Sequence, residues 1–243
     1  MKRKFVIGDI HGAFRALKEL IGKVEPRKED EFIFLGDYTD AWSEAVEVID
    51  FLLEFQQEYS CVFIRGNHDQ LLLDYFEKGR AHEKWLKHGG QSSKDAYERR
   101  PEKVESHANF LRSLVNYHID QENRLFVHGG FTNLKGVDQE WFDKLFYWDR
   151  TLWELACATP LDLSKTDPLY PARLNLYKEV YIGHTPTLRL GKDVPIIRHS
   201  MFNIDTGGGF NSGKLTAFDV NSKSFIQSTE IKLLYPDEFG RTV

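Results

Sequence analysis

Residues 4–12 read KFVIGDIHG, residues 31–40 read EFIFLGDYTD and residues 60–69 read SCVFIRGNHD. Each stretch is a short apolar run, β-branched or aromatic, that stops at a glycine and a polar cluster. After the first, Phe14, Leu17, Leu20, Ile21 and Val24 recur at helical spacing. After the second, Ala45, Val46, Ile49, Leu52 and Leu53 do the same, and Leu71–Phe76 begins a third helix. Short strands alternating with helices predict βαβ units and a parallel sheet. Their interval of roughly thirty residues is what one right-handed crossover takes.

Farther along, Val104, Ala108, Leu111 and Leu114 share a helix face begun after Arg100-Pro101. Arg124–Val127 reads as a strand ending in His128-Gly129-Gly130, and Glu140–Glu154 as an aromatic-rich helix. Residues 158–173 carry Pro160, Pro168 and Pro171 and read as a surface loop, with a lid over the site and a plain connection as equal alternatives. Val180–Ile182, Ile196–His199, Met201–Asp205, Lys214–Asp219 and Ser224–Thr229 are short strands separated by Gly, Asn and Ser, which predict a second, more antiparallel sheet. The expected fold class is α/β: two packed mixed β-sheets flanked by helices. One domain is expected over residues 1–243, with a helical insert at about 77–120 and the loop at about 158–173.

The chain has 243 residues, 41% hydrophobic and 28% charged, which is enough to bury a core without disulfides. It contains no run of 18 apolar residues, so no membrane span is expected. A net charge of −5 argues against non-specific nucleic-acid binding. Cys61 and Cys157 are too few for a disulfide framework or a thiolate metal site, and a reducing cytoplasm is the expected home.

Chemistry gathers at the strand ends, where open α/β sheets bind ligands. The clusters are Asp9-Ile10-His11, Asp37 through Asp40, Asn67-His68-Asp69, His128 and His184. Carboxylate plus imidazole suits divalent metals such as Mn, Fe or Zn. Neighbouring glycines (Gly8, Gly12, Gly36, Gly66, Gly129, Gly183) allow tight turns and close backbone approach.

Gly8-Asp9-Ile10-His11-Gly12, Gly36-Asp37-Tyr38-Thr39-Asp40, Arg65-Gly66-Asn67-His68-Asp69, His128-Gly129-Gly130 and Gly183-His184-Thr185 resemble, in order, the motifs of the calcineurin-like metallophosphoesterases. The bacterial branch of the Ser/Thr protein phosphatase group is the nearest match. Trp85-Leu86-Lys87-His88-Gly89-Gly90, Trp148-Asp149-Arg150, Ile204-Asp205-Thr206-Gly207-Gly208 and Lys214-Leu215-Thr216-Ala217 resemble that branch as well. The resemblance implies an α/β/β/α sandwich and a two-metal site. Asp9, His11 and Asp37 would hold one ion, and Asp37, Asn67, His128 and His184 the other. The expected ions are divalent, Mn first, with Fe, Zn or Mg as alternatives. Such a pair clamps a phosphoryl group and lowers the pKa of a shared water. The same resemblance assigns His68 as general acid, Asp40 as its orienting partner, and Arg65 and Arg150 as phosphate grips.

One position departs from the pattern. The family carries Arg after the second Asp of its second motif, and this chain carries Ala41 followed by Trp42. Trp42 either packs on the second helix or offers a face for a base or substrate side chain. Simpler readings stand beside the others. Asp69 is expected as a helix cap, Gly207-Gly208-Gly209 as a plain turn, Trp85, Trp141, Trp148 and Trp153 as core, and Cys61 as inert. His82, His88, His107, His118 and His199 match no ligand position.

The leading expectation is a metallophosphoesterase acting on a phosphomonoester, phosphoserine or phosphothreonine on protein among them. Hydrolysis of a dinucleoside polyphosphate is the first alternative, and an inactive phosphate-binding module, suggested by Ala41 alone, is the second. The expected partner is a phosphorylated protein or a small phosphoester or nucleotide, with no nucleic acid and no membrane.

Overall fold

The computed structural model of the chain describes residues 2–241. Its first third follows the sequence pattern closely. Strands β1 (Lys4–Ile7), β2 (Glu31–Phe34) and β3 (Ser60–Phe63) alternate with helices α1 (Phe14–Val24), α2 (Ala45–Glu58) and α3 (Asn67–Lys78). The insert is helical: α4 (Glu83–Trp85), α5 (Gln91–Arg99) and α6 (Val104–Ser113). Then come β4 (Tyr117–Ile119), β5 (Arg124–Val127), α7 (Lys144–Trp148), α8 (Thr151–Ala158), β6 (Glu179–Ile182), β7 (Ile196–Arg198), β8 (Met201–Asn203), β9 (Thr216–Asp219), β10 (Phe225–Gln227) and α9 (Ile231–Leu234).

Two five-stranded sheets form, ordered β10-β9-β1-β2-β3 and β4-β5-β6-β8-β7. Each has a parallel triplet, β1-β2-β3 in one and β5-β6-β8 in the other, with antiparallel strands at the margins. The two-sheet architecture is the one expected, but its membership differs. Lys214–Asp219 and Ser224–Thr229 were expected in the second sheet, whereas β9 and β10 extend the first, with Ile7 opposite Ala217. Short strands of this kind carry no mark of which edge they will join, because pairing is decided by packing across the sheet.

The parallel strands are apolar on both faces because both faces are covered. Val6 and Ile33 point inward to meet Phe126, Tyr181 and Phe202 of the other sheet. Phe5, Ile7, Phe32 and Phe34 point the other way, onto Leu17, Ile49 and Leu52 of the helices. On the far side, Leu125, Val180 and Ile182 pack with Phe146, Leu152 and Trp153. The expected single helix over Glu140–Glu154 is two helices. The Asp149 carboxylate accepts the N–H groups of Thr151 and Leu152 at 3.1 Å and restarts the helix there, which leaves Arg150 at the break.

Tyr170 and Leu163 anchor residues 158–173 to the second core, and most of these residues are exposed. None of them lines the pocket described below. That favours the plain connection over the lid.

The Trp42 indole is fully buried, donates to the Gly208 carbonyl at 2.8 Å and lies 5.0 Å from the Tyr235 ring. It presents no face to a ligand, and the stacking alternative fails. Trp42→Ala is expected to cost about 3–5 kcal/mol of stability, read by urea unfolding. Lys4 of one sheet and Arg124 of the other both donate to Asp120 at 2.7 Å. Burial would raise this carboxyl, but those hydrogen bonds bring it down to about 2. It lies below the unfolded value of about 3.9, so its stabilisation is whole above roughly pH 4 and fades as pH falls toward 2. Asp120→Asn is expected to flatten that part of the acid-unfolding profile.

Candidate metal centre and active site

All the candidate ligands leave the carboxyl ends of the two parallel triplets. Asp9 follows β1, Asp37 follows β2, Asn67 and His68 open α3 after β3, His128 follows β5 and His184 follows β6. The chain turns sharply at each exit. Among the described residues nine non-glycines have positive φ, and five are at this site: His11, Asp37, Asp40, Ala41 and His184. Each such conformation costs on the order of 1 kcal/mol and persists because surrounding bonds hold it.

Asp37 sits at φ 53 with its N–H donating to Asp69 Oδ2 at 2.8 Å. The Asp69 carboxylate also accepts from Tyr38 N at 2.9 Å and Gly66 N at 2.9 Å. A Cβ at Gly66 would lie 2.2 Å from Asp37 N and Oδ1, so no larger residue fits there. Asp37 Oδ1 accepts from His68 N at 2.9 Å. Its Oδ2 is thereby left 3.6 Å from His11 Nε2 and 3.4 Å from His128 Nε2. Asp37 is the member shared by both His/Asp clusters of the site, one with His11 and His68, the other with His128 and His184.

The imidazoles are preset. Nδ1 of His11 faces the Thr39 carbonyl at 3.1 Å and Nδ1 of His128 faces the Leu35 carbonyl at 2.8 Å. A carbonyl only accepts, so both Nδ1 atoms carry a proton, and it is the Nε2 atoms that face Asp37. His128 Nε2 also lies 3.2 Å from Asn67 Oδ1. His184 Nε2 is buried with no hydrogen-bond partner. Asp9 lies 3.8 Å from His11 and accepts the His184 N–H on both oxygens, at 3.1 and 3.2 Å.

Burial, aided by Asp205, pushes the Asp9 carboxyl well above the usual carboxylate range. Burial alone would do the same to Asp37, but the charges of His128 and His68 hold it well below that range. Burial keeps His11 and His184 neutral. Burial opposes charge on His128 too, but Asp37 and Asp9 pull it up to about 10. Crowded buried carboxylates, the neutral His11 and His184 imidazoles and the orphaned His184 Nε2 fit a pair of divalent ions.

Beside the ligands, His68 Nδ1 stands 2.5 Å from Asp40 Oδ2, and Trp85 Nε1 donates to the same oxygen at 2.6 Å. Trp85, expected as plain core, thus fixes the partner of His68. Arg150 lines the pocket with its Nε buried and unpartnered. Arg65 does not reach it. Its guanidinium donates to Gln70 Oε1 at 2.8 Å and to the Leu114 and Arg112 carbonyls at 3.1 and 3.3 Å, and it lines a separate pocket. The expected phosphate grip there is instead a tie between β3 and the end of α6, because those carbonyls need a donor. Asp69 is a backbone anchor, as the simpler reading had it. Three charged pocket residues had no role in the sequence reading: Arg189, Arg241 and Asp205, the last quoted there only within a motif. Asp205 carried a signal, since it lies beyond the end of a strand.

The calcineurin-like phosphoesterase family model matches residues 3–199. The chain belongs to that family. Its members are metal-dependent phosphoesterases with dinuclear centres, so this phosphoesterase is an enzyme by descent. It is 24% identical over 238 residues to an asymmetrical bis(5'-nucleosyl)-tetraphosphatase of Oceanobacillus iheyensis, covering 91% of this chain and 90% of the relative. A serine/threonine-protein phosphatase of Saccharomyces cerevisiae is 30% identical over 139 residues, which are 55% of this chain and 34% of that one. The solved cold-active protein tyrosine phosphatase of a Shewanella species shares the fold, with a TM-score of 0.62, 16% identity, and coverage of 94% of this chain and 81% of that one. Among the described residues no helix is long and apolar enough to cross a membrane.

Asp37→Asn is expected to lower bound metal well below the wild-type level, and Asn67→Ala to remove about half of it. Elemental analysis of the purified proteins reads both.

Proposed function

We propose that this phosphoesterase hydrolyses a dinucleoside polyphosphate, cleaving a phosphoanhydride bond by in-line attack of water on phosphorus. The observation that carries the reading is the end-to-end likeness to a bis(5'-nucleosyl)-tetraphosphatase, against a protein phosphatase likeness confined to about half the chain. The pocket supports it, because Arg150, Arg189 and Arg241 stand around the ligand set and a run of phosphates carries several charges to meet them. The phosphomonoester expectation, phosphoserine and phosphothreonine included, becomes the second reading.

Asp9, His11 and Asp37 would hold one divalent ion, and Asp37, Asn67, His128 and His184 the other, with Mn the first to try. When bound, such a pair supplies the Lewis acidity that polarises the phosphoryl group and activates water. The chain's own residues do the rest. Arg150 grips phosphoryl oxygens. His68, held through Nδ1 by Asp40 and Trp85, presents Nε2 to the leaving oxygen and gives it a proton.

Two outcomes check this. With Mn added, kcat/KM on diadenosine tetraphosphate is expected to exceed that on a phosphoserine peptide by at least ~10-fold; the reverse order would return the function to the phosphomonoester. His68→Asn is expected to lower kcat by ~10²–10⁴ on an alkyl phosphate. The loss should be much smaller on diadenosine tetraphosphate, whose leaving nucleotide is a weak base. Equal losses on both would remove His68 from proton transfer.

A further inference from the structure

Ala41 sits where the family carries an arginine, and the space beside it is not empty. Its N–H donates to the Gly89 carbonyl at 3.0 Å. A Cβ added at Gly89 would lie 2.8 Å from Ala41 N and 3.4 Å from Nε of Arg241, a residue two hundred positions farther along the chain. The Arg241 guanidinium therefore lies beside the point where Gly89 meets Ala41.

Its backbone is pinned on the way. Glu238 accepts from Ser43 N at 3.1 Å and Ser43 Oγ at 2.8 Å. A Cβ at Gly240 would lie 2.6 Å from the Trp42 ring, so the segment runs directly against the indole. Arg241 N donates to the Gly209 carbonyl at 2.8 Å, and Arg241 pairs with Phe210 in a short bridge. Buried Trp42 is thus the post around which this segment is wound.

The guanidinium ends in the pocket of the ligand set. Nη2 stands 2.9 Å from His68 Nε2 and 3.2 Å from its Nδ1. Nε is buried with no partner. Among the described residues no carboxylate lies within ion-pair distance of it. A half-buried guanidinium whose buried Nε has no partner, and whose Nη2 meets only a histidine ring, is short of an oxyanion.

We propose that Arg241 is the phosphate clamp that Ala41 cannot be. Its guanidinium takes non-bridging oxygens of the phosphoryl group under attack, from the side on which His68 meets the leaving oxygen. The proposal rests on the reading of this pocket as a phosphoesterase site, and it holds for either substrate class.

The test compares full-length wild type with Arg241→Gln, Arg241→Lys and the double variant Ala41→Arg/Arg241→Gln. KM and kcat are measured on nitrophenyl phosphate and diadenosine tetraphosphate. Binding of inorganic phosphate to the Mn-loaded protein is measured by calorimetry, with metal content alongside. Arg241→Gln is expected to weaken phosphate binding and raise KM by ~10–100-fold with metal content unchanged, the loss of one charge-assisted fork. Arg241→Lys should recover only part, since an ammonium has no fork. The double variant should recover most, because the new side chain starts beside the place the Arg241 guanidinium occupies. Unchanged phosphate affinity in both Gln and Lys variants would overturn the proposal. So would a rise in turnover, which would make Arg241 a plug, or a loss of metal, which would make it structural. A wild type inert on every phosphoester, whose phosphate affinity still falls in Arg241→Gln, would sink the enzymatic reading and leave the clamp standing.

Discussion

The Asp69 carboxylate takes three backbone N–H groups, from Gly66, Asp37 and Tyr38, and the rest of the centre depends on that grip. It ties the loop after β2 to the start of α3. It holds Asp37 in a left-handed conformation that a non-glycine residue does not choose unaided. With the turn fixed, one Asp37 oxygen is occupied by His68 N and the other is aimed between His11 and His128. The Asp37 carbonyl in turn accepts from Ile10 and His11 N–H groups, which carries the order across to the loop after β1. A single buried acid thereby sets the spacing of the candidate ligands that the first sheet supplies.

The electrostatics follow from that crowding. Asp9, Asp37 and Asp205 are buried within one pocket of a chain whose net charge is already −5. The arginines of the pocket do not neutralise them through ion pairs. Arg150 and Arg241 each keep a buried nitrogen without a partner. The protein holds its anions and cations apart, each side complementary to something other than the protein. On the proposed function, the carboxylates and imidazoles would take dications and the guanidinium groups phosphate oxygens.

That these candidate ligands would gather was legible in the sequence because each lies within a few residues of a strand end, so a local motif carries its position. The parallel strands were legible for a related reason: a strand covered on both faces is apolar throughout. What could not be read came from long-range contact. Nothing near Arg65 says that the carbonyls of Arg112 and Leu114 will claim it. Nothing near Trp42 says that Gly208 will bury it. Trp85 was legible as part of a motif but not as the donor to Asp40, since that bond joins residues forty-five positions apart. Arg189 and Arg241 belong to no cluster in the sequence and enter the pocket only through the turns that precede them.

The placement of β1 bears on how the molecule comes to be. Its register with β9 pairs Ile7 with Ala217, across more than two hundred residues. One flank of the central strand is therefore bare until nearly the whole chain has collapsed. Contacts of such sequence separation incur a large loop-closure entropy before any packing repays it, and they slow the final step of folding. The βαβ units carrying Asp9, Asp37 and Asn67 can form early and locally, while His128 and His184 arrive with the other sheet. The candidate ligands come from both sheets, so the full set is brought together only when the two sheets pack.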